Sequence, residues 1–433
     1  MNKKLLTFGI ALLMIALVAA TAVLFIFPYN PVHPPVVDDS GSTSQGIQEV
    51  VDANNRFAFE LYSEIAKSEK GNLFYSPYSI SAALAMTYEG AKGQTADEMK
   101  SVFHFPETAV LRPNFAAIYN DINDANGEYE LKTGNALWVQ QDYPFLKDYL
   151  NTVENYYGGK TANLDFIGET EKSRETINSF IEEQTNGKIK DLISSLDPMT
   201  RLVLTNAIYF KGTWEWEFDK SDTREQDFWI TSANAVKVQM MFMDPEKAKF
   251  NYADLDNLQI LELPYKGDKL SMLIILPKQG EDYDLGTGEK IVYDYSLEDI
   301  ELSNEKLSEY KAQMSETKLS SISIPKFEFD TKYSSMGDTL KALGMPSAFN
   351  PGSADFSGMT GKQDLFISQV IHQAYVKVDE KGTEAAAATA VKMTATSAMQ
   401  PNVFKADHPF IFIIQEKETG NILFIGRVVD PAQ

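Results

Sequence analysis

The chain has 433 residues, of which 44% are hydrophobic and 23% charged, a composition typical of a folded globular protein with a sizeable core. Its net charge of -22, from 61 acidic against 39 basic residues, repels phosphate backbones and anionic lipid surfaces, so nucleic acid is excluded as an expected partner. The absence of cysteine excludes disulfides, thiol catalysis and zinc sites with cysteine ligands.

Residues 1–27 are predicted to form a signal anchor or a signal peptide. Lys3 and Lys4 precede an uncharged run at 5–27, which is long enough to cross a bilayer as one helix. Residues 20–22 would supply a cleavage site of small side chains, but cleavage there would leave the apolar residues 23–27 exposed. The pattern favours an uncleaved membrane anchor, with the rest of the chain extracytoplasmic at the cell surface; secretion is the alternative.

The next region, 28–47, is rich in Pro, Ser and Gly and is predicted to be a stalk. From residue 48 onwards the pattern is that of a globular domain, without an internal repeat or a second linker. One domain, 48–433, is therefore expected.

Periodicity within this domain predicts both helices and strands. Apolar spacing indicates helices at 51–67, 79–89, 95–102 and 173–185. Strand patterns occur at 201–210, 259–264, 270–277, 320–329, 370–378 and 410–429, the last with a turn at 419–421. An acidic, polar excursion with a short helix is expected at 280–317. Because helices and strands mix without regular βαβ alternation, the predicted fold class is α+β.

The sequence carries no motif for catalysis. It lacks a nucleophile elbow, an H-E-x-x-H helix, a P-loop and a dinucleotide-binding loop. Its histidines, at 33, 104, 372 and 408, never occur at metal-ligand spacing. We therefore expect neither an enzyme nor a metal or cofactor site.

The most informative segment is the run of small side chains after Gly382. By propensity it is a helix former. As a strand it would place the odd-numbered residues of 383–395, all small or apolar, on one side, with Glu384 and Lys392 on the other. The pattern permits a strand with one buried face without excluding a helix.

Four motifs resemble the serpins, a family of protease inhibitors. VKVDEKGTEAA at 376–386 resembles the hinge of the family's reactive loop, and NLFYSPYSI at 72–80, with Gly90, Ala91 and Thr95, resembles its second helix and the segment after that helix. NAIYFKGTW at 206–214 is similar to its central strand, and HPF at 408–410 with IGRV at 425–428 is similar to its closing hairpin. The resemblance covers nearly all of 48–433.

The resemblance implies the serpin fold, with three β-sheets, about eight or nine helices and an exposed reactive-centre loop at about 380–404. It implies a suicide-substrate inhibitor that traps a serine protease, or a cysteine protease as a second class, as an acyl-enzyme when the cleaved loop inserts into the main sheet. The alternative is a non-inhibitory serpin that serves as a binding, storage or chaperone protein, whose hinge is often bulky or charged. A monomer without a cofactor is expected.

The resemblance also implies roles for individual residues. Glu380 is expected to pair with Lys326, and Trp214 to pack where insertion begins. A polar cluster beneath the opening strands is expected from Ser76, Ser79, Asn206 and His372. The hinge comprises Glu380, Gly382, Thr383, Glu384, Ala385, Ala386, Ala387 and Ala388.

The expected cleaved bond is Thr396–Ser397, which follows roughly the seventeenth residue counted from Glu380. Because the segment 397–409 is slightly longer than is usual in the family, cleavage after Ala395, Ala398 or Met399 is an alternative. A small residue before the bond suits a protease with a small or medium specificity pocket, elastase-like or subtilisin-like.

Overall fold

The computed structural model describes residues 36–123, 128–244, 248–278, 296–383 and 402–433, and the backbone of 281–283 and 290–292. The chain divides into two units, 1–36 and 37–433, and the helices and sheets of the described ranges belong to the second. Within the described ranges, no helix combines the length and apolar character needed to cross a membrane. The predicted membrane segment at 5–27 lies outside these ranges.

Nine α-helices occur in the described part of the chain, and they include the four that periodicity predicts. The short helix expected within 280–317 is α7. The helices are α1 Ser44–Ser68, α2 Pro77–Tyr88, α3 Gly93–Phe103, α4 Thr108–Asn123, α5 Lys147–Tyr157, α6 Thr170–Gln184, α7 Asn304–Ala312, α8 Met336–Leu343 and α9 Ser357–Thr360.

Twenty strands are found in the same residues. The strands of the first half are β1 Leu73–Tyr75, β2 Tyr129–Thr133, β3 Ala136–Gln140, β4 Lys160–Leu164, β5 Leu202–Thr213, β6 Arg224–Thr231, β7 Asn234–Met243, β8 Phe250–Asp254, β9 Leu258–Pro264 and β10 Leu270–Pro277. Those of the second half are β11 Glu281–Tyr283, β12 Lys290–Val292, β13 Ser315–Thr317, β14 Ser321–Pro325, β15 Phe327–Tyr333, β16 Gln369–Asp379, β17 Gly382–Thr383, β18 Val403–Lys405, β19 Phe410–Glu416 and β20 Ile422–Val428.

The strands form three main sheets and a two-stranded ribbon, β11–β12. Sheet 1 has the order β15-β16-β17-β5-β3-β4, and β2 pairs with the end of β5. Sheet 2 has the order β1-β20-β19-β10-β9-β8-β13, and sheet 3 the order β18-β14-β7-β6. The α+β class and the three sheets are thus confirmed.

The segment 320–329, predicted as one strand, is two strands in different sheets. It divides at Lys326 into β14 of sheet 3 and β15 of sheet 1, and the backbone N–H of Lys326 donates to Gln239 O at 2.8 Å. The apolar residues alternate at 322 and 324 and then, after Pro325, at 327 and 329. This change of phase marks the point where the chain leaves one sheet for the other, and a single predicted strand overlooks it.

Sheet 1 has a buried cluster on each face. On β5, Leu204 and Ile208 belong to the main core shared with sheet 2, whereas Val203 and Ala207 face a smaller core covered by α6. This alternation with period two fixes which face any further strand of sheet 1 would present to each core.

The folded unit begins inside the region predicted as a stalk. Val37 is 5% exposed, its N–H donates to Asn120 Oδ1 at 3.0 Å, and the Asn120 amide donates back to Val37 O at 2.9 Å. Thr43 caps α1 by accepting the N–H of Gly46 at 3.0 Å. The first helix, which begins at Ser44, therefore starts before the expected boundary at Gln48.

A chain that begins at Gln48 should be less stable than one that begins at Val37. It loses the Thr43 cap, one turn of α1 and both Asn120 hydrogen bonds, which together contribute about 2–4 kcal/mol. Thermal unfolding of the two chains measures the difference. Equal melting temperatures would show that residues 37–47 contribute nothing to the fold.

Candidate functional site at the opening of sheet 1

The two central strands of sheet 1 are held apart at one end. β16 and β5 pair directly and in parallel from Gln369 with Val203 to Tyr375 with Tyr209. Beyond those pairs, β17 lies between them: Thr383 pairs with Val378 of β16 on one side and with Gly212 of β5 on the other. Both pairings are antiparallel, so the chain turns after β16 and begins a new strand in the gap between its neighbours.

Gly382 is required by the closeness of β17 to β5. Its φ is +153°, and a Cβ atom there would lie 2.0 Å from Gly212 O and 2.8 Å from Thr213 Cα. These neighbours are backbone atoms, which cannot yield without disturbing β5. Only glycine fits at this position.

Thr383 is anchored by an aromatic stack. It is 1% exposed, and its Oγ1 lies 2.8 Å from the hydroxyl of Tyr265. Tyr265 stacks on Trp214 with ring centroids 4.6 Å apart, and the Trp214 Nε1–H donates to Asp379 O at 3.2 Å. Burial raises the pKa of Tyr265, so the phenol stays neutral and available for hydrogen bonding.

The turn between β16 and β17 is fixed by Glu380. Its carboxylate accepts hydrogen bonds from Lys326 Nζ at 2.8 Å and from Thr223 Oγ1 at 2.9 Å, and its carbonyl accepts the Phe218 N–H at 2.7 Å. Burial would raise the pKa of Glu380, but the hydrogen bonds from Lys326, the backbone and Thr223 outweigh it and lower the pKa. A charged, hydrogen-bonded carboxylate therefore closes the turn.

A polar cluster lies beneath the paired part of β16 and β5. His372 Nδ1 contacts Asn206 Oδ1, and His372 Nε2 accepts the Ser76 N–H at 3.1 Å. Because Nε2 accepts, the ring proton is on Nδ1 and the imidazole is neutral. The Asn206 amide donates to Ser79 Oγ at 2.6 Å, and the Ser79 hydroxyl donates to Asn135 Oδ1 at 3.0 Å.

The structure therefore brings together the residues that the resemblance assigns to this region. Glu380 meets Lys326, Trp214 packs beside β17, and Ser76, Ser79, Asn206 and His372 form one network. Two groups of predicted residues lie outside the described residues: the hinge residues Glu384, Ala385, Ala386, Ala387 and Ala388, and the candidate reactive-bond residues Ala395, Thr396, Ser397, Ala398 and Met399.

The far end of the same segment is held by a different sheet. β18 pairs in parallel with β14 of sheet 3, and Ser320 N–H donates to Asn402 O at 2.8 Å. The chain between β17 and β18 thus starts in sheet 1 and ends in sheet 3.

Sequence reasoning missed several residues of this site. Tyr265, Thr223 and Asn135 each supply a hydrogen bond to Thr383, Glu380 or Ser79. They come from segments far apart in the chain, and each is a common residue at the end of a strand or in a loop. The only signal in the sequence is that Tyr265 directly follows a predicted strand.

The chain matches a known protein family over most of its length. A family model described as "Serpin (serine protease inhibitor)" matches residues 52–431. An uncharacterised serpin-like protein of Thermococcus kodakarensis is 44% identical over 387 residues, which cover 88% of this chain and 86% of that protein. The leukocyte elastase inhibitor of Homo sapiens is 39% identical over 393 residues, which cover 89% of this chain and all of that protein (100%).

A solved structure supports the same assignment. Serpin48 of the insect Tenebrio molitor is 33% identical, with a TM-score of 0.74 over 88% of this chain and 98% of that one. Sheet 1 holds the start of a strand, β17, between two parallel neighbours, β16 and β5. This arrangement defines a class of proteins in which a loop begins inside a sheet of the same domain. The chain belongs to the serpin family, which is a family of serine protease inhibitors.

His372 should make the stability of the protein fall on mild acidification. Burial lowers the pKa of His372 from 6.5 to about 3, so between these values the unfolded state binds a proton that the folded state does not. Stability should then decrease as the pH falls through this window, by about 1.4 kcal/mol per pH unit.

Urea unfolding at pH 7 and pH 5 measures this slope. His372→Asn should flatten it. Ser76→Ala, which removes the hydroxyl that donates to Leu423 O at 2.6 Å but no titrating group, should lower stability equally at both pH values. If His372→Asn shows the same pH dependence of stability as the wild type, the pH dependence does not come from His372.

Proposed function

We propose that this chain is a suicide-substrate inhibitor that traps a serine protease as an acyl-enzyme while its cleaved loop inserts into sheet 1. The observation that carries this proposal is β17, which already lies antiparallel between β16 and β5. A loop whose first two residues are in place needs only to extend that strand.

The existing register would allow the extension without slippage. Thr383 lies opposite Val378 and Gly212. Each later loop residue would pair with the residue of β16 and the residue of β5 that lie one position earlier in the sequence. Residue 389 would then lie between His372 and Asn206, which are themselves paired across the two strands in the present structure. The register of β17 and the register of the strands that it would separate therefore agree along the whole gap.

The same register gives each face of the inserted strand a suitable environment. The odd-numbered residues from Thr383 to Ala395 would share the main-core side with Thr383, and all are small or apolar. Glu384 would lie on the opposite face, between Lys377 of β16 and Lys211 of β5. The first charged side chain after Thr383 would thus meet two opposite charges, which favours its entry.

Thr389 would replace the contact that insertion breaks. A new strand moves β16 and β5 about 5 Å further apart, which separates His372 from Asn206. A threonine hydroxyl both donates and accepts, so Thr389 can bond to both residues in place of their mutual hydrogen bond. The buried polar groups would then remain satisfied in the inserted state.

The trapping chemistry uses the protease's own mechanism. Its serine oxygen would attack the carbonyl carbon of Thr396, forming an ester as the bond to the Ser397 nitrogen breaks and that amine takes the proton. The C-terminal part stays attached through β19 and β20, which lie inside sheet 2. Residues 383–396, extended, span roughly 43 Å at about 3.3 Å per residue, so the attached protease would be carried far from its docking position.

The proposed target is an elastase-like or subtilisin-like protease. The residues around the expected bond, Ala395 to Met399, are small or of medium size, and they suit a shallow specificity pocket. A relative with 39% identity is named leukocyte elastase inhibitor, which supports the same class of target.

We also propose that residues 1–27 act as an export segment or membrane anchor, so that the inhibitor operates outside the cytoplasm. The proposal rests on the uncharged run at 5–27 after two lysines.

Incubation with elastase-like, subtilisin-like, chymotrypsin-like and trypsin-like proteases tests the function. An elastase-like or subtilisin-like enzyme should give a complex that survives SDS, and mass spectrometry should detect the fragment 397–433. Cleavage near Thr396 with neither a complex nor a rise in thermal stability would instead indicate the non-inhibitory alternative.

Thr383→Arg should convert the protein from an inhibitor into a substrate. Burying an unpaired guanidinium at a position that is 1% exposed costs several kcal/mol, and about 1.4 kcal/mol already changes the partition between trapping and turnover tenfold. The number of inhibitor molecules consumed per trapped protease measures this partition. Thr383→Ser, which keeps the hydroxyl near Tyr265, serves as the control; unchanged trapping by Thr383→Arg would refute the role of this residue.

A further inference from the structure

A small cavity lies among α1, α2, α4 and the turn that joins β19 to β20. Its volume is about 10 Å³, counted as the space that the centre of a water molecule can occupy. A cavity needs about 10–15 Å³ of such space to hold one water molecule, so this one has room for a single water and nothing larger. None of the residues that line it belongs to the site at the opening of sheet 1.

Apolar and polar side chains share the lining of the cavity. The apolar part comes from α1, from α4 and from the segment just before α4: Val50, Ala53, Phe105, Phe115 and Ile118. The polar part comes from α1, from α2 and from the β19–β20 turn: Asn54, Tyr78, Ser81 and Asn421. A cavity with apolar walls alone would stay dry, whereas a water is held where two to four polar groups converge.

Two polar atoms of this lining lack a hydrogen-bond partner among the described residues. They are the hydroxyl oxygen of Tyr78 and the amide nitrogen Nδ2 of Asn421. Both residues are buried, with 3% of Tyr78 and 1% of Asn421 exposed. Burying a hydroxyl or an amide N–H without a partner is costly, and ordered water commonly satisfies such groups.

Asn54 fixes the orientation of the Asn421 amide and supplies a further partner. The Asn54 Nδ2 donates to Asn421 Oδ1 at 2.9 Å and to Ile422 O at 2.9 Å, which leaves the Asn421 Nδ2 as the donor without an acceptor. Asn54 Oδ1 accepts the Ser81 hydroxyl at 3.2 Å, and an amide oxygen can accept a second hydrogen bond. The cavity therefore offers one donor, one acceptor and the Tyr78 hydroxyl, which can act as either.

The occupant of such a cavity must both donate and accept hydrogen bonds. A metal cation cannot accept the Asn421 N–H, and an anion such as chloride cannot donate to Asn54 Oδ1. Water does both and has the right size. The chemistry and the volume thus select the same molecule.

We propose that this cavity binds one ordered water molecule, which accepts from Asn421 Nδ2, bonds to the Tyr78 hydroxyl and donates to Asn54 Oδ1. The water joins α1 and α2 to the β19–β20 turn. Because α2 also carries Ser79 of the polar cluster, the water helps to hold that helix against the hairpin. The inference is independent of the proposed function, since it requires no loop insertion.

A crystal structure of the protein at high resolution tests the site directly. We expect a density peak with the height of a water oxygen, within hydrogen-bond distance of both Tyr78 Oη and Asn421 Nδ2. A cavity without a peak would overturn the proposal, and so would a peak with the anomalous scattering of a heavier ion.

Tyr78→Phe tests the water in solution, because the sign of its effect depends on the hydroxyl having a partner. If the hydroxyl bonds to a water, the variant loses a hydrogen bond and its melting temperature should fall by about 1 °C. If the hydroxyl is unpaired, its removal relieves a buried polar group, and an unchanged or higher melting temperature would contradict the proposal.

Tyr149→Phe is the matched control. The Tyr149 hydroxyl donates directly to Met86 O at 2.9 Å, and Tyr149 does not line the cavity. This variant should lose a similar amount of thermal stability, but its crystal structure should keep the water peak beside Tyr78 unchanged.

Discussion

The structure depends on one constraint, which is that two parallel strands in the middle of sheet 1 are paired along most of their length and separated at one end. The chain connection between two parallel neighbouring strands is normally a long crossover. At the open end of β16 and β5, the gap between the two strands holds only Gly382 and Thr383 among the described residues. The groups around that gap fix its geometry. Tyr265 and Trp214 anchor the threonine, Glu380 fixes the turn, and the network below keeps the strands together.

The polar network suits the opening of sheet 1 that the proposed function requires. A purely apolar contact between β16 and β5 would be lost without replacement when a strand enters. A neutral imidazole bonded to an amide loses a directional contact instead, and another hydroxyl can restore it. Because the network is buried, leaving any of its atoms unpaired would be costly. In the proposed insertion, the same groups would therefore favour the closed and the fully opened sheet over states between them.

The sequence predicts the elements better than their arrangement. Helices at 51–67 and 173–185 and strands at 259–264 and 370–378 are read from side-chain periodicity, which is a local property. At Lys326 the alternation changes phase, from apolar residues at 322 and 324 to apolar residues at 327 and 329, but this local change does not identify the two sheets that the chain connects. The contact of Tyr265 with Thr383 joins residues 118 positions apart. The surroundings of Val37 indicate a linker because they are rich in proline, serine and glycine, although its burial against α4 depends on Asn120 far along the chain. The hinge motif can be recognised only because it resembles a family pattern.

The position of the last two strands constrains how the protein is made. β19 and β20 come last in the order of the described strands, yet they lie within sheet 2 between β1 and β10, and their residues are buried. During synthesis, β1 and β10 therefore emerge long before the strands that connect them. The hydrophobic core cannot close until β20 has been synthesised, so the nascent chain carries open sheet edges and apolar surface until then. All strands of sheet 1 precede β19 in the chain, so they are available to pair before the core of sheet 2 can be completed.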